Sequence, residues 1–393
     1  MTNPKRSLLK AAVGALVASL ALPGFAQTGP IKIGLILPMT GQSASTGRQI
    51  EAAVKLWVAQ NGNKIAGRTV EVILKDDGAV PDTTRRLAQE LIVNDKVAVI
   101  AGFGITPTAL ATAPLGTQSK TPMVVMAAAT SSITEASPYF IRTSFTLPQV
   151  TIGIADWAAK NKIKKAVTLV ADYGPGFDAE KFFDSQFRLD GGQILDKLRT
   201  PLKAPDFAPV LQRVIDTKPD ALFVFLPSGQ GAAFMKQFAE RGLDKSGVKL
   251  IATGDVTDDD QLNDMGDVAI GVVNSHHYSA AHPSAVNKKF VEAFQAANKF
   301  RPNFMAVGGY DGMRVIYKAL EATKGEGGEK LLNAMKGQIF ESPRGPVLID
   351  GQTRDIVQDV YIRKVERVPA MGNGLYNVEF DVIKAVKDPG KAK

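Results

Sequence analysis

The sequence has 393 residues, a formal net charge of +8, 45% hydrophobic residues and no cysteine. The missing thiols exclude disulfides, thiolate metal sites and cysteine nucleophiles. Lys and Arg occur in ones and twos, with no run of five or more and no aromatic interleaving, which argues against a nucleic-acid partner; the length suffices for two full hydrophobic cores.

At the amino end Lys5, Arg6 and Lys10 precede an uncharged segment from Ala11 to Leu22, broken by Pro23-Gly24. A basic segment, an apolar segment and small residues at Gly24-Phe25-Ala26 form the pattern of a secretory signal. Residues 1–26 are therefore expected to be a signal peptide cleaved after Ala26, which would lower the charge to +5 and leave 367 residues. A membrane span needs about 20 predominantly apolar residues, and no segment reaches that. Without a cysteine at the cut no lipid anchor forms there, so a soluble protein confined to the periplasm is expected.

From Ile31 onward, short β-rich runs alternate with longer amphipathic stretches, the pattern of βαβ units and a mostly parallel sheet. Strands are expected near Ile31 to Leu37, Val70 to Lys75, Val97 to Ala101 and Met123 to Met126. Helices fall between them at about Thr46 to Gln60, Asp82 to Asn94 and Thr106 to Gln118. After Ser144 to Pro148 a second series begins, with strands at Ala166 to Ala171, Gln193 to Leu198, Ala221 to Leu226, Lys249 to Ala252 and Ala269 to Val273. Its helices are expected near Gln149 to Asn161, Phe177 to Leu189, Phe207 to Asp216, Gly229 to Arg241 and Asp258 to Met265. Two further helices, Pro283 to Lys299 and Met305 to Thr323, return to the first unit. The last 50 residues read as β structure with a frayed polar end.

Catalytic signatures are missing: there is no P-loop, no Gly-x-Ser-x-Gly, no His-Glu-x-x-His and no Gly-x-Gly-x-x-Gly after a strand. The three histidines, His276, His277 and His282, would need a further ligand to hold a metal; they read as polar residues at a strand end and a crossing. The run Asp258-Asp259-Asp260, with Thr257, reads as a helix cap. What does accumulate is small polar loops after strands, where open α/β sheets hold ligands. One unit offers 38–47, including Thr46, then 102–108 with Ile105 and Thr106, and 127–132 with Ala128 and Thr130. Backbone N–H groups near helix starts make such loops receptors for a carboxylate. The second unit offers Tyr173, Ser228 and Asp255: a ring can cover an apolar ligand body, and a carboxylate can pair with an amine or accept from a hydroxyl. A loop tyrosine packed on its own lobe and a capping aspartate are equally good readings of Tyr173 and Asp255.

In order and spacing, several segments resemble the periplasmic leucine/isoleucine/valine-binding proteins of branched-chain amino acid ABC transporters. They are Ile31-Lys32-Ile33-Gly34 leading into Met39-Thr40-Gly41 and Gly47, Asp76-Asp77, Val99-Ile100-Ala101-Gly102, and Ala128-Ala129-Thr130. Phe140-Ile141-Arg142-Thr143, Asp172-Tyr173-Gly174-Pro175-Gly176 and Gly309-Tyr310-Asp311-Gly312 continue the series. The resemblance covers nearly the whole mature chain. It implies a type I α/β fold of two Rossmann-like lobes with mostly parallel sheets and a three-strand hinge. Residues 27–147 with about 278–343 would form the first lobe, and about 148–277 with 344–393 the second.

The resemblance also implies a ligand carboxylate at Ile105 or Thr106, Ala128 and Thr130, with Tyr173 and Asp255 contacting the rest. Two positions depart from the family: Ile105 stands where a hydroxyl is common, and small residues replace an aromatic near Thr46, which implies a roomier, greasier pocket. The expected function is capture of a branched-chain or other hydrophobic amino acid for a membrane ABC permease. Aromatic or other organic acids, or a sensing role, are the alternatives. A monomer without cofactor, metal or enzymatic activity is expected.

Overall fold

The computed structural model describes residues 29–391, so the expected signal peptide lies outside the described residues. The first sheet contains β1 (Ile31–Leu37), β2 (Lys64–Ile65), β3 (Arg68–Asp76), β4 (Val99–Gly102), β5 (Met123–Val125) and β6 (Phe140–Arg142), in the order β2-β3-β1-β4-β5-β6. All pairings are parallel except β2 with β3. Strand β1 is apolar apart from Lys32 and Gly34 because helices cover both faces of a parallel sheet. These helices are α1 (Ala44–Asn61), α2 (Pro81–Val93), α3 (Thr106–Ser119) and the short α4 (Ile133–Ala136). Proline in the first turn of α2 and α3 costs no hydrogen bond there.

Helix α5 (Leu147–Lys160) opens the second lobe, with the Gln149 side chain accepting from the Thr146 N–H at 2.9 Å. Strands β7 (Lys165–Ala171), β8 (Gln193–Thr200), β9 (Ala221–Phe225), β10 (Lys249–Thr253) and β11 (Val273–His276) alternate with α6 (Gly174–Leu189), α7 (Ala208–Thr217), α8 (Gly231–Glu240) and α9 (Leu262–Met265). Helices α10 (Ala285–Asn298) and α11 (Phe304–Ala322) pack on α1 in the first lobe, as expected, followed by α12 (Gly328–Met335). The chain then supplies antiparallel strands β12 (Ile339–Ser342), β13 (Gly345–Ile349), β14 (Ile356–Val368) and β15 (Gly374–Val386) to the second sheet. Because β12 pairs with β13, the chain has joined the second sheet by Ile339, before the expected boundary at 343.

Three other expectations need correction. The strand expected over Ala269 to Val273 runs instead over Val273–His276, with residues 266–269 in a 3-10 turn. Its buried Asn274, Ser275 and His276 lack the apolar signature of a strand. Residues 257–260 do not cap a helix, since α9 begins only at Leu262. The carboxyl end is not frayed up to Lys391: buried Asp388 accepts from Ser131 Oγ at 2.6 Å, and Lys391 pairs with Asp355.

A fully buried ion pair lies between the lobes. Arg344, in the β12–β13 turn, donates from Nε and Nη2 to Asp311 of α11 at 3.0 and 2.6 Å. It also donates to the Ser144 carbonyl and Gln358 from Nη1, and to the Thr143 carbonyl from Nη2, at 2.8–2.9 Å. One guanidinium thus ties the first crossing, a first-lobe helix and a second-lobe strand. Arg344→Met should strand Asp311 without its counter-charge and cost roughly 3–5 kcal/mol in urea unfolding, and adding Asp311→Asn should recover part of it. An unchanged unfolding midpoint in the single variant would contradict this role.

Candidate functional site

The carboxyl ends of β1, β4 and β5 face those of β7, β9 and β10 across a shared cavity. From the first lobe it is lined by Ser43, Thr46, Gly104, Ile105, Thr106 and 127–129, and from the second by Tyr173, Pro175, Phe225, Pro227, Ser228 and Asp255. Phe145, Leu147 and Met305 complete the walls. Seven of the eight expected site residues therefore line one space. The eighth, Thr130, stands directly behind: its Oγ1 is 2.9 Å from Thr106 Oγ1.

Both lobes supply polar groups to this space. From the first come the Thr106–Thr130 hydroxyl pair and the start of α3, whose N-cap residue is Ile105. An isoleucine side chain cannot cap, so the first N–H groups of α3 keep their hydrogen-bonding capacity and the positive end of the helix dipole. The starts of α1 and α6 also reach the cavity through Ser43 and Tyr173, neither making a side-chain cap bond. Among the described residues no Lys or Arg lines the space, so an anion here is received by neutral donors and dipoles. Ala128 departs from its expected role: its N–H donates to the Phe103 carbonyl at 3.0 Å, which holds the loop and leaves Ala128 only its methyl and shape to offer.

In the second lobe Asp255 is buried, and Thr253 Oγ1 donates to it at 2.9 Å. Tyr173 stacks on Phe225 with ring centroids 6.1 Å apart. Burial, then the neighbouring Asp255 charge, raises the Tyr173 phenol, so it remains a neutral donor. Ser228 is engaged elsewhere, donating to Asp258. The apolar part of the lining is Ile105, Phe145, Leu147, Phe225, Met305 and two prolines.

The lobes are closed on each other. Asp260 accepts from Ser45 Oγ at 2.7 Å and pairs with Arg48 at 2.8 Å; Asp258 accepts from Asn303 Nδ2 at 3.0 Å; Asp178 accepts from the Ser131 N–H at 2.8 Å. The aspartate run that resembled a cap thus binds one lobe to the other, a role that only the folded chain reveals. A Cβ added at Gly174 would fall 2.6 Å from Thr130 Oγ1; the glycine of the Tyr-Gly motif lets α6 meet the opposite lobe.

A model of the periplasmic binding protein family matches residues 30–372. The chain belongs to that family. The Leu/Ile/Val-binding protein homolog 6 of Brucella abortus (strain 2308) is 42% identical over 391 residues, 98% of each chain. Among solved structures, the solute binding protein of an ABC transporter from Rhodopseudomonas palustris BisB5, in complex with 3,4-dihydroxybenzoic acid, is 62% identical. Its TM-score is 0.90 over 92% of this chain and 99% of that one. The corresponding protein from Rhodopseudomonas palustris HaA2, in complex with p-hydroxybenzoic acid, is 42% identical, with a TM-score of 0.89 over 92% and 99%. This chain is accordingly a solute-binding protein of ABC transport. Among the described residues no helix could cross a membrane, and no three His, Asp or Glu side chains are grouped to hold a metal.

Two outcomes follow from the closed geometry. Gly174→Ala should hold the lobes apart and weaken ligand binding by about 1–3 kcal/mol, seen by calorimetry together with a larger radius of gyration in the liganded protein; a compact, full-affinity variant would contradict it. Burial, reinforced by Asp260, pushes the Asp258 carboxyl up to about 7, against hydrogen bonds from Ser228, the Asp260 N–H and Asn303. An acid raised above its unfolded value penalises the fold when ionised, so the penalty is full above about pH 7 and fades as pH falls toward the ordinary 3.8. The melting temperature of Asp258→Asn relative to wild type should therefore be higher at about pH 8 than at about pH 5, and a pH-independent difference would refute the shift.

Proposed function

We propose that this protein captures a ring-hydroxylated aromatic carboxylic acid, of the 4-hydroxybenzoate or 3,4-dihydroxybenzoate kind, and presents the closed form to a membrane ABC permease. The observation that carries this reading is the distribution of polarity in the cavity. An aromatic acid has a carboxylate at one end, a flat apolar body and a hydroxyl at the other. The cavity offers threonine hydroxyls and a helix start from one lobe, apolar walls, and Asp255 from the other. Ile105 and Thr46, where amino-acid binders of the family place a hydroxyl and an aromatic, suit a ring better than an aliphatic side chain. The ligands of the two Rhodopseudomonas palustris relatives agree.

Capture of a branched-chain amino acid is the second reading. It draws on the name of the Brucella abortus relative and on Asp255, which could pair with an ammonium group. In both readings the ligand is bound and released without covalent change, by a monomer exported to the periplasm, free of lipid and cleaved after Ala26. Closure is stabilised because the ligand touches both lobes only when they meet.

A thermal-shift screen separates the two. At a hundredfold excess over the dissociation constant a ligand stabilises the native state by about 2.7 kcal/mol. Hydroxybenzoates should raise the melting temperature, while leucine, isoleucine and valine should leave it unchanged; the reverse pattern would sink the aromatic reading. Thr106→Ala should weaken every bound carboxylate by roughly 1.5–3 kcal/mol, the worth of a hydrogen bond to a charged group.

A further inference from the structure

Next to Asp255 lies a cluster of buried polar side chains that do not line the cavity. His276, the last residue of β11, and His277 have 0% exposed surface, and none of their four ring nitrogens has a hydrogen-bond partner. Both rings pack on Phe145, a cavity wall, with centroids 4.7 and 4.8 Å away. His276 Nε2 points at Asp255 Oδ2 from 3.5 Å, too long for a formed hydrogen bond and about half an ångström short of one. Arg363 stands beside them: its Nε donates to Asn274 Oδ1 at 2.7 Å, while its Nη2 has no partner. Gly254, next to Asp255, makes room for this layer, because a Cβ there would fall 1.9 Å from Arg363 Nη2 and 2.7 Å from His276 Cβ.

A buried imidazole with no partner is costly, and such groups persist where a site requires them. Burial lowers the His276 pKa to about 4, Asp255 opposes the shift, and Arg363 and Arg344 add to it. The ring is therefore neutral in neutral solution and carries one N–H to give.

We propose that His276 is a positioning residue that sets selectivity for a ring hydroxyl by donating its Nε2–H to Asp255. With one Asp255 oxygen held by Thr253 and His276, the carboxylate is fixed as an acceptor aimed into the cavity, where it takes the O–H of a hydroxylated ring. A ligand with no hydroxyl leaves that acceptor unpaired and is rejected, since a site built to bond a hydroxyl disfavours analogues that lack one. This inference rests on the aromatic-acid reading above and deepens it.

The test compares benzoate with 4-hydroxybenzoate by calorimetry on wild type, His276→Leu and His276→Gln. Wild type should prefer 4-hydroxybenzoate by at least about tenfold. His276→Leu should lose most of that preference, and His276→Gln, which keeps an N–H, should restore much of it. An undiminished preference in His276→Leu, or no preference in wild type, overturns the role of His276 while leaving aromatic-acid binding intact. Failure of wild type to bind either acid overturns the functional reading itself. Because His276→Leu risks misfolding, the wild-type protein supplies an independent measurement. The chain has only three histidines, so ring N–H signals in a 15N-histidine-labelled sample can be separated. On adding 4-hydroxybenzoate one should move downfield as the hydrogen bond to Asp255 shortens, and benzoate should not move it. The same response to both acids, or to neither, rejects the proposal.

Discussion

The Arg344–Asp311 pair is the constraint on which the geometry of this molecule depends. Its charges are fully buried, and burial raises the carboxyl and lowers the guanidinium, each shift opposed by the partner. Such a pair is held in place by the hydrogen bonds that saturate it, and its chief gift is a unique arrangement more than stability. Here the saturating groups are the carbonyls of Thr143 and Ser144 and the side chain of Gln358. The first crossing, helix α11 and strand β14 are all tied to that one guanidinium. The cavity walls inherit their positions from it: Phe145 follows directly on Ser144, and Met305 lies on the same helix as Asp311.

The parts legible in the sequence were those governed by periodicity. Strand β1 and helices α1, α3, α10 and α11 fell within a few residues of expectation because aliphatic runs and amphipathic stripes are local signals. The loops after strands were legible for a related reason: in an open α/β sheet the carboxyl ends of strands are where ligands bind, and Thr106, Tyr173 and Asp255 do converge there.

The parts that were not legible share one property, buried polarity whose partner lies far along the chain. Strand β11 was misplaced because Asn274 bonds Asn377 and Arg363, which no window around it contains. Residues 258–260 passed for a cap because their partners, Ser45, Arg48 and Asn303, belong to the other lobe. The Ala128 N–H passed for a ligand donor because the competing acceptor, Phe103, is 25 positions away. Local pattern reports what a residue can do; long-range pairing decides what it still has free to do.

The contacts of Asp260, Asp258 and Asp178 across the cavity mouth bear on time as well as affinity. They touch both lobes and not the apolar part of the cavity lining, so they hold the closed form whatever the ligand. Escape then requires these bonds to break along with the ligand's own, so the dwell time of a captured molecule carries a contribution from the protein's opening in addition to its grip on the solute. A permease that pulls Ser45 and Arg48 away from Asp260 would shorten that dwell without competing for a single atom of the cargo.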